Sequence, residues 1–281
     1  FILAFLSMFE PGDRVAVSVP GYPPYRHILT ALGCEPVLIE TSSDNRHALT
    51  GEALLAAHRK TPLKGVLVGS PANPTGTMMS REALTHLMAA AESEGIRFIS
   101  DEIYHGLDYA FPAVTAAELS PHALIINSFS KYFCMTGWRV GWMVVPEYLV
   151  RTIERLQQNL SISVPMLSQV AAEAAFAGRE EMEIVKRGYE ENRNILIAGL
   201  PKAGLSEFLP ADGAFYLYAD VSKFTTDSHD FARRMLEQAH VAATPGVDFD
   251  PGRGRSFLRF SYARSADEMH EAVARIGKWL A

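Results

Sequence analysis

From Arg14 to Val145 the chain alternates short β-branched runs with longer amphipathic stretches, and this rhythm restricts the fold more than any other feature. Strand-like runs fall at residues 15–19, 37–40, 65–69, 97–100, 124–127 and 140–145. Helical stretches separate them, at 25–32 before Gly33 and at 81–94, which Ser80 opens as a cap and Gly95 closes. A parallel pair of strands needs a long crossover, usually a helix, so this pattern predicts an α/β fold with a mostly parallel central sheet and helices on both faces. After Pro146 the pattern turns helical, at 147–159, 166–176 and 180–200. Strands at 215–219 and 257–262, with helices at 229–239 and 266–280, predict a smaller C-terminal α+β domain. The division is placed near Arg187, giving a large domain of residues 1–187 and a small one of 188–281.

Several classes of partner are disfavoured. A net charge of -6 and no long Lys/Arg run provide no basic field for nucleic acid. No apolar run reaches the roughly 20 residues of a membrane-spanning helix, so no membrane partner is expected. Two cysteines, Cys34 and Cys134, without C-x-x-C spacing, argue against a disulfide framework or zinc site and fit a reducing cytoplasm. The nine histidines show no metal-binding spacing. Neither a nucleophile elbow nor a Walker loop occurs, and Gly252-Arg253-Gly254 reads as a loop. The first nine residues read as a buried helix; starting at Phe without a cap, the chain looks like one whose beginning is missing.

Open α/β sheets bind ligands beyond the C-terminal ends of their strands. Unusual polar residues gather at those ends: Tyr22 after the first strand, Asn73 after the third, Asp101 and Tyr104 after the fourth, Ser128, Ser130 and Lys131 after the fifth. Hydroxyls with Lys131 and Arg139 suit an anion rich in acceptor oxygens, such as a phosphate monoester, and lysine forms imines with carbonyl compounds. Taken singly, Asp101 also fits a helix cap, Asn73 a turn residue before Pro74, and Arg259 an exposed position on an alternating strand. Their joint pattern is what favours a site.

That pattern resembles the class I/II aminotransferases of the fold-type I pyridoxal-phosphate enzymes. Ser128-Phe129-Ser130-Lys131, followed by Gly137-Trp138-Arg139-Val140-Gly141, is similar to the family's lysine signature. Asn73-Pro74-Thr75-Gly76 and Asp101-Glu102-Ile103-Tyr104 resemble its other two motifs, in order and at compatible spacing, and the likeness runs on to Phe257-Leu258-Arg259-Phe260-Ser261. The resemblance implies pyridoxal 5'-phosphate as cofactor, carried by Lys131 as an imine. It further implies Asp101 at the pyridine nitrogen, Asn73 and Tyr104 at the phenolic oxygen, Tyr22 against the ring, and Ser128, Ser130 and Arg139 at the phosphate. Arg259 would anchor the substrate carboxylate beside Asn73. The implied reaction is ping-pong transamination between an α-amino acid and a 2-oxo acid in a homodimer. A C–S lyase of the same fold and a cofactor-sensing transcription regulator are the alternatives. The resemblance also places a phosphate-binding turn, an arm over the substrate site and an aromatic residue reaching the partner subunit upstream of Phe1.

Overall fold

The computed structural model describes residues 1–281. In chain order the larger part comprises α1 (Ile2–Met8), β1 (Arg14–Val19), α2 (Pro23–Ala31), β2 (Glu35–Glu40), α3 (Gly51–Lys60), β3 (Gly65–Gly69), α4 (Arg81–Ser93), β4 (Arg97–Asp101), β5 (Leu124–Ser128) and β6 (Gly141–Val144). Three helices follow: α5 (Glu147–Leu160), α6 (Met166–Ala175) and α7 (Arg179–Gly199). The sheet order is β2-β1-β3-β4-β5-β6, parallel except for β6, which runs antiparallel to β5. It is a mixed, mostly parallel sheet, as the strand–helix rhythm predicts.

Alternation along each strand sends successive side chains to opposite faces. Val66, Val68, Phe98 and Ile125 pack with Leu54, Leu84, Leu87 and Met88 under α3 and α4. Leu67, Ile99 and Leu124 face the other way, onto Phe5, Met8, Leu29 and Leu149 of α1, α2 and α5. The central strands are covered on both faces, so that their ends are what they present to a ligand.

Predicted and observed strands agree to within two residues. The predicted left-handed stops are present, with Gly33 at φ 81 and Gly95 at φ 65. Ser80 caps α4 by accepting from Ala83 N. One helix went unread, α3, capped by Thr50 and burying Leu54 as its only large side chain. The sixth strand is shorter than predicted. Val140 stays outside it, its carbonyl taken by Phe129 N, and Arg139 before it is left-handed at φ 55.

The smaller C-terminal part holds β7 (Tyr216–Asp220), α8 (Ser228–Ala239), β8 (Thr244–Pro245), β9 (Phe257–Ser261) and α9 (Ala266–Leu280). Its strands form an antiparallel sheet in the order β7-β9-β8, whose core of Leu217, Leu258, Phe260, Phe231, Met235 and Ile276 takes in Leu196 and Leu200 from α7. Polar ties join this part to the parallel sheet. Arg46 pairs with Asp212 at 2.8 Å, and Arg253, in the segment read as a loop, donates to the carbonyls of Thr41 and Val19 at 3.0 Å. No helix is long and apolar enough to cross a membrane.

Candidate active site

The strand order reverses beside β1: β2 lies on one side of it, β3 and the later strands on the other. Loops leaving neighbouring strands there diverge and open a crevice at the C-terminal edge. A cavity of about 410 Å³ lies there and reaches across to β9. All nine residues singled out from the sequence line it: Tyr22, Asn73, Asp101, Tyr104, Ser128, Ser130, Lys131, Arg139 and Arg259.

Asp101 ends β4 and is buried. Its Oδ2 accepts from Tyr25 Oη at 2.5 Å and its Oδ1 from Ile103 N at 3.2 Å. Loss of water on burial outweighs those two donors and pushes its pKa up to about 6. A carboxylate held this deep calls for a cationic partner.

Lys131 follows β5 by three residues. Its Nζ lies 5.5 Å from the Phe215 ring centroid and 5.8 Å from that of Tyr104. Burial first, then the charges of Arg259 and Arg139, lower its pKa, with Asp101 opposing. The amine is therefore more readily neutral than a surface lysine, as a nucleophile or base must be.

Ser128 Oγ accepts from Ser130 N at 3.0 Å and lies 2.8 Å from Ser130 Oγ. The left-handed turn at Arg139 brings its guanidinium back to the Thr136 carbonyl at 2.8 Å. These groups gather hydroxyl and guanidinium donors near the end of β5.

Arg259 comes from the other sheet. Its Nη1 donates to Asn73 Oδ1 at 2.8 Å and its Nη2 to Thr244 Oγ1 at 3.2 Å, while Nε has no partner. A guanidinium carries five donors, so capacity remains for an anion. Asn73 thus meets Arg259 across the cleft. Next to Asn73, Gly76 adopts φ 67, and a Cβ there would lie 2.5 Å from the Tyr216 carbonyl. The Asn73 turn and the start of β7 consequently pack backbone to backbone, with Asp212 N and Gly213 N both donating to Gly76 O.

Two residues of the site were not read from the sequence. Tyr25 holds Asp101, and Tyr216 Oη lies 2.9 Å from Tyr104 Oη. The spacing of Tyr22 and Tyr25 in the first turn of α2 could have flagged Tyr25. The Tyr104 hydroxyl is buried, which raises its pKa well above the usual value.

Comparison with known proteins places this geometry among relatives. The family model "Aminotransferase class I and II" matches residues 1–276. A valine–pyruvate aminotransferase of Mycobacterium tuberculosis is 47% identical over 284 residues, covering 100% of this chain and 73% of that protein. The crystal structure of a putative aminotransferase from Silicibacter pomeroyi superposes with a TM-score of 0.96 at 51% identity, covering 100% of this chain and 75% of that one. An aminotransferase structure from Mycobacterium tuberculosis matches with a TM-score of 0.96 at 46% identity, covering 99% and 73%.

Proposed function

Because this chain belongs to the class I and II aminotransferases, we propose that its cavity binds pyridoxal phosphate at Lys131 and serves an α-amino acid with an uncharged side chain as amino donor. The protein is an aminotransferase, exchanging an amino group between an α-amino acid and a 2-oxo acid. The observation that carries the cofactor reading is the charge pattern of one cavity, lined by Lys131, Arg139 and Arg259 around the buried Asp101. Those cations match a phosphate and a carboxylate, and the acid matches a protonated pyridine nitrogen. The residues fit the group.

When bound, the cofactor supplies an electron sink that makes the substrate Cα–H acidic. Asp101 would keep the ring nitrogen protonated and would gain from it a charged hydrogen-bond donor, which its present donors are not. Its neighbours are a hydroxyl and an amide. Ser128, Ser130 and Arg139 would hold the phosphate, Tyr104 and Asn73 the phenolic oxygen, and Tyr22 the ring face. Arg259 would grip the substrate carboxylate and so turn the Cα–H toward Lys131. Lys131 Nζ, inclined to neutrality by burial and by two guanidinium groups, would accept the Cα proton.

With these assignments every charged group lining the cavity is used, and the rest of the wall includes Tyr22, Pro71, Ile103 and Tyr216. A neutral donor such as valine, with pyruvate as acceptor, fits this wall and parallels the name of the relative at 47% identity. A homodimer is part of the same reading. Ile162 and Leu167 are 80% and 77% exposed, with Met166, Val170 and Phe176 also exposed nearby in the sequence, an apolar surface that a second copy would cover. We place the division between the two parts of the chain at Arg187, within α7.

The test is an amino-donor panel assayed with and without pyruvate. Sustained formation of 2-oxo acid from valine, over many turnovers, that requires the acceptor is expected, with aspartate at least tenfold poorer in kcat/KM. Continued turnover without any acceptor, beyond the one equivalent of 2-oxo acid per site that the first half of a ping-pong exchange releases, would mark an elimination enzyme and refute the reading.

A further inference from the structure

Tyr216 stands where the two halves of the candidate site meet. It opens β7, opposite Ser261 in the register with β9, and is buried in the cavity wall. Its hydroxyl lies 2.9 Å from Tyr104 Oη. Its ring lies under the Arg259 guanidinium, 4.3 Å from the centroid, and Phe249 contacts the same guanidinium at 4.8 Å. The backbone before it is pinned to the Asn73 turn through the two amides that bond Gly76 O. One rigid residue therefore touches both the group assigned to the cofactor oxygen and the group assigned to the substrate carboxylate.

We propose that Tyr216 is a positioning residue with two separable parts: its hydroxyl donates to Tyr104, and its ring fixes the plane of Arg259. This rests on the cofactor reading above. A tyrosine hydroxyl has a single proton. If Tyr104 donates that proton to the phenolic oxygen of the cofactor, it can only accept from Tyr216, which must then be the donor. An accepted hydrogen bond polarises the acceptor hydroxyl and strengthens its own donation. The ring acts separately, through the attraction between a guanidinium and a π face, which also resists rotation of the fork.

The experiment uses Tyr216→Phe and Tyr216→Leu in the protein loaded with pyridoxal phosphate. The first readout is the pH midpoint of the visible absorbance change of the bound cofactor. The second is the affinity for 3-methylbutanoate, an amine-free carboxylate, followed by perturbation of that absorbance. Tyr216→Phe is expected to move the midpoint up by a few tenths of a pH unit, because the phenolic oxygen loses part of its stabilisation, and to leave carboxylate affinity within about twofold. Tyr216→Leu should move the midpoint similarly and weaken 3-methylbutanoate by roughly three- to tenfold. An unmoved midpoint in Tyr216→Phe overturns the hydroxyl role, and equal carboxylate affinity in the two variants overturns the ring role. If Tyr216→Leu fails to fold, Tyr216→Trp, which keeps a π face without the hydroxyl at this position, takes its place; a loss of affinity there as large as loss of the ring requires would contradict the ring role. Absence of the visible band from the unsubstituted protein would overturn the cofactor reading itself, an outcome distinct from a band that Tyr216→Phe leaves unchanged.

Discussion

Replacing Asp101 by Asn should stabilise the cofactor-free protein while disabling it. The carboxyl titrates at about 6 in the folded chain against an ordinary value of 3.8, because it is buried and only partly compensated by Tyr25 and Ile103 N. Between those two values the folded state holds a proton that the unfolded chain has released, so stability falls as pH rises through this window and stays low above it. The difference corresponds to about 3 kcal/mol at pH 8, and roughly half of that at pH 5. Asparagine mimics the protonated carboxyl: its Oδ1 can accept from Ile103 N and its amide can face Tyr25 Oη. Urea unfolding of the cofactor-free proteins should show Asp101→Asn more stable by up to about 3 kcal/mol at pH 8, with the advantage shrinking at pH 5. In the loaded enzyme the sign reverses, since the ring nitrogen loses its counter-charge, and kcat should fall by at least about a hundredfold, an effect of the size that a pKa change of ~1 to 3 units implies. A variant less stable than its parent at pH 8, or an advantage independent of pH between 5 and 8, would refute this reasoning.

Three further outcomes follow. Arg259→Ala removes charge-assisted hydrogen bonds worth roughly 1.5 to 3 kcal/mol each, so kcat/KM should fall more than tenfold in steady-state assays; an unchanged value would mean that another group anchors the carboxylate. Gly76→Ala forces a side chain onto a φ of 67 and against the Tyr216 carbonyl, and urea unfolding should show a loss of about 2 kcal/mol or more. Tyr25→Phe deletes the donor that favours the charged form of Asp101, so carbon-13 NMR of the cofactor-free protein should find this carboxyl titrating above 6 by about one to two pH units.

Much of this architecture was legible in the sequence, for reasons that differ by element. Strands such as Gly65–Gly69, buried on both faces, read as continuous apolar runs between turn signals, and their ends marked where polar residues would converge. The short helix Gly51–Lys60 escaped because a helix that buries one large side chain leaves almost no apolar stripe to detect. The end of β5 and the start of β6 were blurred for another reason. Val140 looks like a strand residue, yet the left-handed turn at Arg139 and the bonds to its carbonyl keep it out of the ladder. Within the site, residues belonging to short contiguous motifs could be named from the sequence. Tyr25 and Tyr216 could not, since they act on partners 76 and 112 residues away and belong to no motif that was read. What Arg259 does became specific only through its contacts with Asn73, Thr244 and Tyr216, which join the two sheets.

The most direct measurement is borohydride reduction of the protein saturated with pyridoxal phosphate, followed by peptide mass spectrometry. One cofactor per chain, fixed to the peptide that contains Lys131 and absent from Lys131→Ala, is the expected result. Reduction that traps nothing, or that labels a different lysine in the folded protein, would contradict the assignment on which every other role in the cavity depends.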